Sequence, residues 1–182
     1  MAAVKTALTF ADYVALPNDG KRYEIHDGEL SVTPAPGRMH QRVVLRLAMA
    51  LDAHVTAHTL GEVNIAPFDV VLSDPTTVQP DILFVAGDRA AAFSDRGFEG
   101  APTLVVEVLS PSTARIDRNI KLQLYARHAV PYYWIVDPGA RTIDVHCLTA
   151  SAYGAPERFG GDLLADLPPF PGLTLDPATV WV

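Results

Sequence analysis

A short apolar run with a carboxylate inside it restricts this chain more than any other feature. Residues 103–113 read TLVVEVLSPST, with Leu104, Val105, Val106, Val108 and Leu109 around Glu107. Unbroken apolarity of this length is the pattern of a central strand covered on both faces, so the chain must build a sheet with a layer on each side. An unpaired carboxylate there is costly enough that it takes up a proton instead. Glu107 therefore calls for a cation: an arginine, a lysine or a metal.

The rest of the chain supplies the layers. Residues 8–17 (LTFADYVALP) read as a short helix with Thr9 as N-cap and Pro17 beyond its end. Residues 22–32 (RYEIHDGELSV) read as a hairpin turning at Asp27-Gly28, with Tyr23, Ile25, Leu30 and Val32 on its apolar face. Glu24 and Glu29 fall on the opposite face, usually the solvent face. From residue 38 to about 58 the period is helical: His40, Val44, Leu47, Leu51 and Val55 share a stripe, and Arg38, Arg42 and Arg46 step along another. Residues 62–72 read as one strand with a bulge or edge at Pro67, residues 74–80 as a turn, and 81–85 as a short buried strand. Residues 86–102 form a mixed connector. A helix is expected from about 112 to 128, then strands over PYYWIVD and RTIDVHCL, and the proline-rich tail is expected to pack as a loop over the core. The order predicts one α/β or α+β domain, residues 1–182, with a sheet covered by helices.

Composition narrows the function classes. No apolar run approaches the ~20 residues of a membrane span. The first ten residues have one lysine and no sustained apolar stretch, which argues against a secretory signal. A single cysteine, Cys147, allows no internal disulfide and fits a cytoplasmic location. The net charge of −7 removes any general electrostatic grip on nucleic acid, so phosphate binding must rest on a local patch and on metal.

Asp81 opens one buried strand and Glu107 lies in the next. If the two strands pair, their carboxylates converge as oxygen ligands suited to Mg²⁺ or Mn²⁺. The bland alternative has Asp81 capping a turn after Pro80 and Glu107 paired with an arginine. Lys121 shares a helical face with Asp117 and Tyr125 and is a candidate cation for Glu107; a solvated surface lysine is the competing reading. His40, on an apolar stripe, reads first as a satisfied core residue. His54 and His58 have zinc-pair spacing but no third ligand, Ser110 and Ser112 lack a nucleophile elbow, and no glycine-rich phosphate loop occurs.

The segments YEIHDGEL, HQRVVLRLAMAL, VQPDILFV, LVVEVLSPST and DRNIKLQLYARHAVPYYWIVDP, in that order, resemble the Uma2 family of bacterial proteins over nearly the whole chain. That resemblance implies the restriction-endonuclease-like superfamily with its PD-(D/E)xK signature: a mixed central sheet flanked by helices, an N-terminal hairpin, and a Mg²⁺-dependent site acting on phosphodiesters. Pro80-Asp81 matches the PD, and Glu107 the second acidic residue. The lysine two positions on is missing, since Leu109 stands there, and Lys121 is the candidate for a lysine displaced to the following helix. Tyr132 stands where the family commonly has an acidic residue. The implied site has Asp81, Glu107 and the Val108 carbonyl on the metal and Lys121 in catalysis, with Glu29, His40 and Tyr125 as neighbours. Arg38, Arg42, Arg46, Arg115 and Arg118 form the best local patch for a DNA backbone.

The leading expectation is a metal-dependent DNA endonuclease, with a homodimer as the candidate assembly and no membrane partner. A superfamily member that binds without cleaving and a phosphohydrolase of small substrates are the competing readings.

Overall fold

The structure is a computed structural model describing residues 7–162 and 164–181; the reading of residues 1–6 against a secretory signal lies outside them. Helix α1 (Phe10–Val14) starts at Thr9, whose hydroxyl accepts from the Asp12 amide while Asp12 accepts from the Thr9 amide, a reciprocal cap. Strands β1 (Arg22–His26) and β2 (Glu29–Thr33) form the expected hairpin. Asp27 and Gly28 both have positive φ, 51° and 81°, as a tight two-residue hairpin loop requires.

Helix α2 (Arg38–Ala57) follows, then β3 (Gly61–Ile65), β4 (Val70–Ser73), β5 (Thr76–Val78) and β6 (Ile82–Ala86). After a 3₁₀ turn come β7 (Phe93–Ser94), β8 (Gly97–Glu99) and β9 (Leu104–Val108). A π-helical segment, Ile116–Lys121, runs into α3 (Leu122–Arg127), and β10 (Tyr132–Asp137) and β11 (Thr142–Thr149) complete the sheet. The tail ends in α4 (Pro177–Val180).

Two sheets result. One runs β2-β1-β5-β4-β8-β7; the central one runs β11-β10-β9-β6-β3, with short strands Ala152–Tyr153 and Glu157–Gly160 added to β11. Only β9 and β10 pair in parallel within the central sheet, joined by the helical crossover; its other pairs are antiparallel. This is a mixed α+β arrangement, with α2 on one face of the central sheet and α3 on the other.

Strand alternation sorts the core into two halves. Leu104, Val106 and Val108 face α2, through Leu47, Leu51 and Val55, and the tail, through Leu167, Phe170 and Leu173. Val105 and Leu109 face the opposite way, toward Leu124, Tyr125 and the other sheet. Leu47 and Leu51 are fully buried, and burying each stabilises by about 1.5–3 kcal/mol. Truncating Leu47 to alanine would cost about 2–5 kcal/mol and is the single change that most directly loosens α2. The tail is pinned where the Trp134 indole N–H donates to the Pro168 carbonyl at 2.7 Å.

Four sequence expectations need correction. Residues 62–72 do not form one strand: β3 and β4 lie in different sheets, because Pro67 has no N–H to continue a ladder. The turn expected over 74–80 contains β5. The helix expected from about 112 to 128 is present from Ala114 to Arg127, but over Ile116–Lys121 it is π-helical before the α-helix of Leu122–Arg127. In the hairpin, Leu30 and Val32 are about half exposed, at 44% and 48%, whereas Glu24, expected in solvent, is 1% exposed.

Candidate active site

The register of the central sheet brings the two carboxylates together. Ile82 of β6 pairs with Val106 of β9, so the next step outward sets Asp81 opposite Glu107. Alternation points both to the side carrying α3, because Leu83 and Val105 belong to that half of the core. Asp81 and Glu107 line one small cavity of about 30 Å³, together with Arg22, Glu24, His40, Asp117 and Lys121.

Each carboxylate is already hydrogen-bonded. Asp81 Oδ2 accepts from the Val108 backbone N–H at 2.9 Å and lies 3.0 Å from His40 Nε2, while Oδ1 accepts from Arg22 at 3.0 Å. Glu107 Oε1 accepts from Lys121 Nζ at 2.8 Å and from the Tyr125 hydroxyl at 2.9 Å. Lys121 also donates to Glu24 Oε1 at 3.0 Å, so one ammonium bridges β9 and the hairpin. Glu24 is fixed in turn by the Gln79 backbone N–H at 2.8 Å and by His26 Nε2 at 3.0 Å.

The helical crossover explains how Lys121 gets there. A π turn places residues 117, 121 and 125 on the sheet side; Asp117, Lys121 and Tyr125 are all buried, at 2%, 4% and 0% exposure. Tyr133 reinforces the segment by donating its hydroxyl to the Asp117 carbonyl at 3.0 Å.

Electrostatics follow from this census. Four carboxylates (Glu24, Asp81, Glu107 and Asp117) face two permanent cations, Arg22 and Lys121. Burial opposes charge on Glu24 and Asp81, but Lys121, His26 and Arg22 around Glu24, and His40 and Arg22 around Asp81, hold both below the usual carboxylate range. Glu107 goes the other way. Burial pushes it up to about 8, and Asp81, Asp117 and Glu24 add to that push against the opposing Lys121. Burial disfavours the Lys121 ammonium, yet Glu107, Glu24 and Asp117 raise its pKa, so it stays charged. The cavity is short of positive charge, and Glu107 and Asp117, which burial also raises, bear the shortfall.

Other sequence candidates scatter. Glu29 does not line the cavity; it borders a separate groove with His26, Leu30 and Ile120. Arg118 pairs with Asp137 at 2.9 Å and with Asp144 at 3.5 Å, which ties up part of the expected basic patch. Arg38 and Arg115 are exposed, and Arg42 and Arg46 are half-buried on α2. His40, expected first as a core residue, sits on Asp81. Arg22 and Glu24 were missed as site residues, although their alternation with Tyr23 and Ile25 already put them on one face. Among the described residues, no group of three or more His, Cys, Asp or Glu side chains is arranged to hold a metal.

Comparison with known proteins decides the family. A family model described as "Putative restriction endonuclease", Uma2, matches residues 10–178. The chain belongs to the Uma2 family. An uncharacterized protein of Synechocystis sp. (strain ATCC 27184 / PCC 6803 / Kazusa) is 28% identical over 130 residues, covering 69% of this chain and 66% of that protein. The crystal structure of a protein from Anabaena variabilis ATCC 29413, described as a "putative nuclease belonging to DUF820", superposes with a TM-score of 0.79. At 20% identity, with 96% of this chain and 97% of that one covered, the superposition establishes the shared fold.

Proposed function

We propose that this Uma2 protein is a divalent-metal-dependent endonuclease hydrolysing phosphodiester bonds of DNA. The observation that carries the reading is the facing pair Asp81 and Glu107, set opposite by strand register, with Lys121 bound to Glu107. Membership in a family described as "Putative restriction endonuclease" supports it.

The donor set fits Mg²⁺ or Mn²⁺. Such ions take one or two carboxylates and keep the remaining positions for water and phosphate, so a cluster of three protein ligands is not needed. Four carboxylates against two permanent cations is also the imbalance a divalent ion corrects. Asp81, Glu107 and the Val108 carbonyl would hold the ion, which would supply a more acidic water and neutralise charge on the scissile phosphate.

The chain's own groups do the rest. The raised pKa of Lys121 makes it a poor base and a persistent cation, so it stabilises negative charge building on the phosphoryl oxygens. Tyr125 shares Glu107 Oε1 with Lys121 and fixes that carboxylate's orientation. His40 and Arg22 orient Asp81.

Mg²⁺-dependent nicking of plasmid DNA, with calorimetric metal titration alongside, tests the reading on wild type and three variants. Asp81→Asn loses metal binding and cleavage, and Glu107→Gln abolishes cleavage. Lys121→Met keeps metal binding and slows turnover by about 10²–10³-fold, the usual effect of losing one preorganised charge stabiliser. Nicking unchanged in Glu107→Gln would overturn the site. A module that binds without cleaving is favoured by one observation, the ion pairs that already engage both carboxylates; absence of wild-type cleavage and of metal binding would establish that reading instead.

A further inference from the structure

Beside the carboxylate cavity lies a second, much larger cleft of about 410 Å³, in the range of small-ligand sites. It is walled mainly by apolar groups: Met39 from α2, Leu109, Pro111 and Ala114 from the segment after β9, and Pro138 from the turn after β10. His40 and Ser110 line both spaces, so the cleft opens directly off the site. The paired Arg118 and Asp137 lie along it as its charged members.

An apolar cleft of this kind has no use for the phosphate rail of an intact duplex, whose bases are stacked away from the protein. It suits a flat heterocycle taken out of the stack. The Arg118–Asp137 pair lies at the edge of the cleft, with Asp137 Oδ1 accepting from the Gly139 and Ala140 amides, so the recognition is apolar in the main. The neighbouring cavity, at about 30 Å³, holds little more than an ion or a water, so a reacting phosphate would sit at its mouth, where the cleft begins.

We infer that the cleft lined by Met39, Leu109, Pro111, Ala114 and Pro138 binds one unpaired nucleobase next to the scissile phosphate, making strands with unstacked nucleotides the substrate. The inference rests on the nuclease reading for the chemistry next door, but base binding can be measured without cleavage.

Gly37 lines the cleft with φ −74°, and a Cβ there meets nothing within 4 Å, so Gly37→Leu adds bulk without backbone strain. Ala114→Leu adds bulk from the opposite wall. The test is fluorescence anisotropy with Ca²⁺ in place of Mg²⁺, using a short oligothymidylate and a duplex of equal length. Wild type binds the single strand about ten-fold or more tightly than the duplex, the size expected from burying one face of a base against aliphatic side chains at about 25 cal/mol per Å². Both variants lose that preference while remaining folded at the assay temperature, although leucine at Gly37, the N-cap of α2, lowers the melting temperature; should Gly37→Leu fail to fold, Ala114→Leu decides. Equal or tighter binding of the duplex, no binding of either, or an undiminished preference in the folded variants overturns the inference. No Mg²⁺-dependent cleavage alongside an intact single-strand preference would instead remove the nuclease reading and leave the base site standing.

Discussion

Glu107 sits where its charge is costly, which makes its titration visible in stability. Burial raises it from an ordinary 4.5 to about 8. The protonated form therefore favours the native state: this contribution is complete below about pH 4.5, declines as pH rises and is lost above about pH 8. Asp81 and Glu24, held low, lose their contributions only as pH falls below the ordinary carboxylate range. Burial lowers His54, His128 and His146, which act oppositely to Glu107 near neutrality, so wild type must be compared with Glu107→Gln. Between about pH 5 and pH 8, wild type should lose several degrees of melting temperature relative to that variant. Each pKa unit is worth about 1.4 kcal/mol, and a chain of this size shifts about 2–4 °C per kcal/mol. Saturating Mg²⁺ should flatten the wild-type curve, and equal slopes in the two proteins would mean that Glu107 is not raised.

What was legible at this scale follows from periodicity. Asp81, Glu107, Lys121 and Tyr125 could be read because strand alternation and the i, i+4 rule fix their directions locally. Glu24 could not, since the hairpin's polar face is wet or dry depending on what crosses it. Here that is the helical crossover, which brings Lys121 across from 97 residues away.

Among elements, the π segment Ile116–Lys121 was invisible in the sequence: it has no breaker, and a helix of either pitch fits its pattern. Its consequence is geometric. Each extra residue in a turn rotates everything beyond it by about 100° relative to an α-helix. Deleting exposed Asn119 should convert the segment to α-helix and take Lys121 or Asp117 off the cavity. Circular dichroism should then show undiminished helicity, while cleavage falls at least as far as in Lys121→Met. Full activity in the deletion would show that the wide turn is incidental. The split of residues 62–72 into β3 and β4 was half legible: Pro67 announced an interruption, but only the second sheet gives β4 a partner.

For the whole molecule, the balance of charge decides how nucleic acid is met. With a net charge of −7 the protein repels a polyanion at long range, and Arg118 is committed to Asp137 and Asp144. Under the proposed function, Arg38, Arg42 and Arg46 on α2, with exposed Arg115, are the members of the expected patch left to meet phosphates. Replacing the three on α2 with glutamine should weaken DNA binding and flatten the dependence of log affinity on log salt. The slope should fall by up to about 0.7 for each single-strand phosphate, or about 0.9 for each duplex phosphate, no longer neutralised, because every neutralised phosphate releases condensed counterions. An unchanged slope would place the DNA elsewhere. The fold class was legible from the order of short strands and two helical segments. The second sheet was not, because β5, β7 and β8 are two or three residues long and carry no period of their own.

The face of the central sheet turned away from the carboxylates is closed by Leu164, Leu167, Phe170, Leu173, Leu175 and Trp181, a stretch that leaves the ribosome after every strand of that sheet has been made. Until it arrives, Val106, Trp134 and Val136 have α2 over only part of their surface, and the nascent protein carries an open greasy flank. The core strands that position Asp81 and Glu107 therefore gain their last packing only once this stretch has emerged.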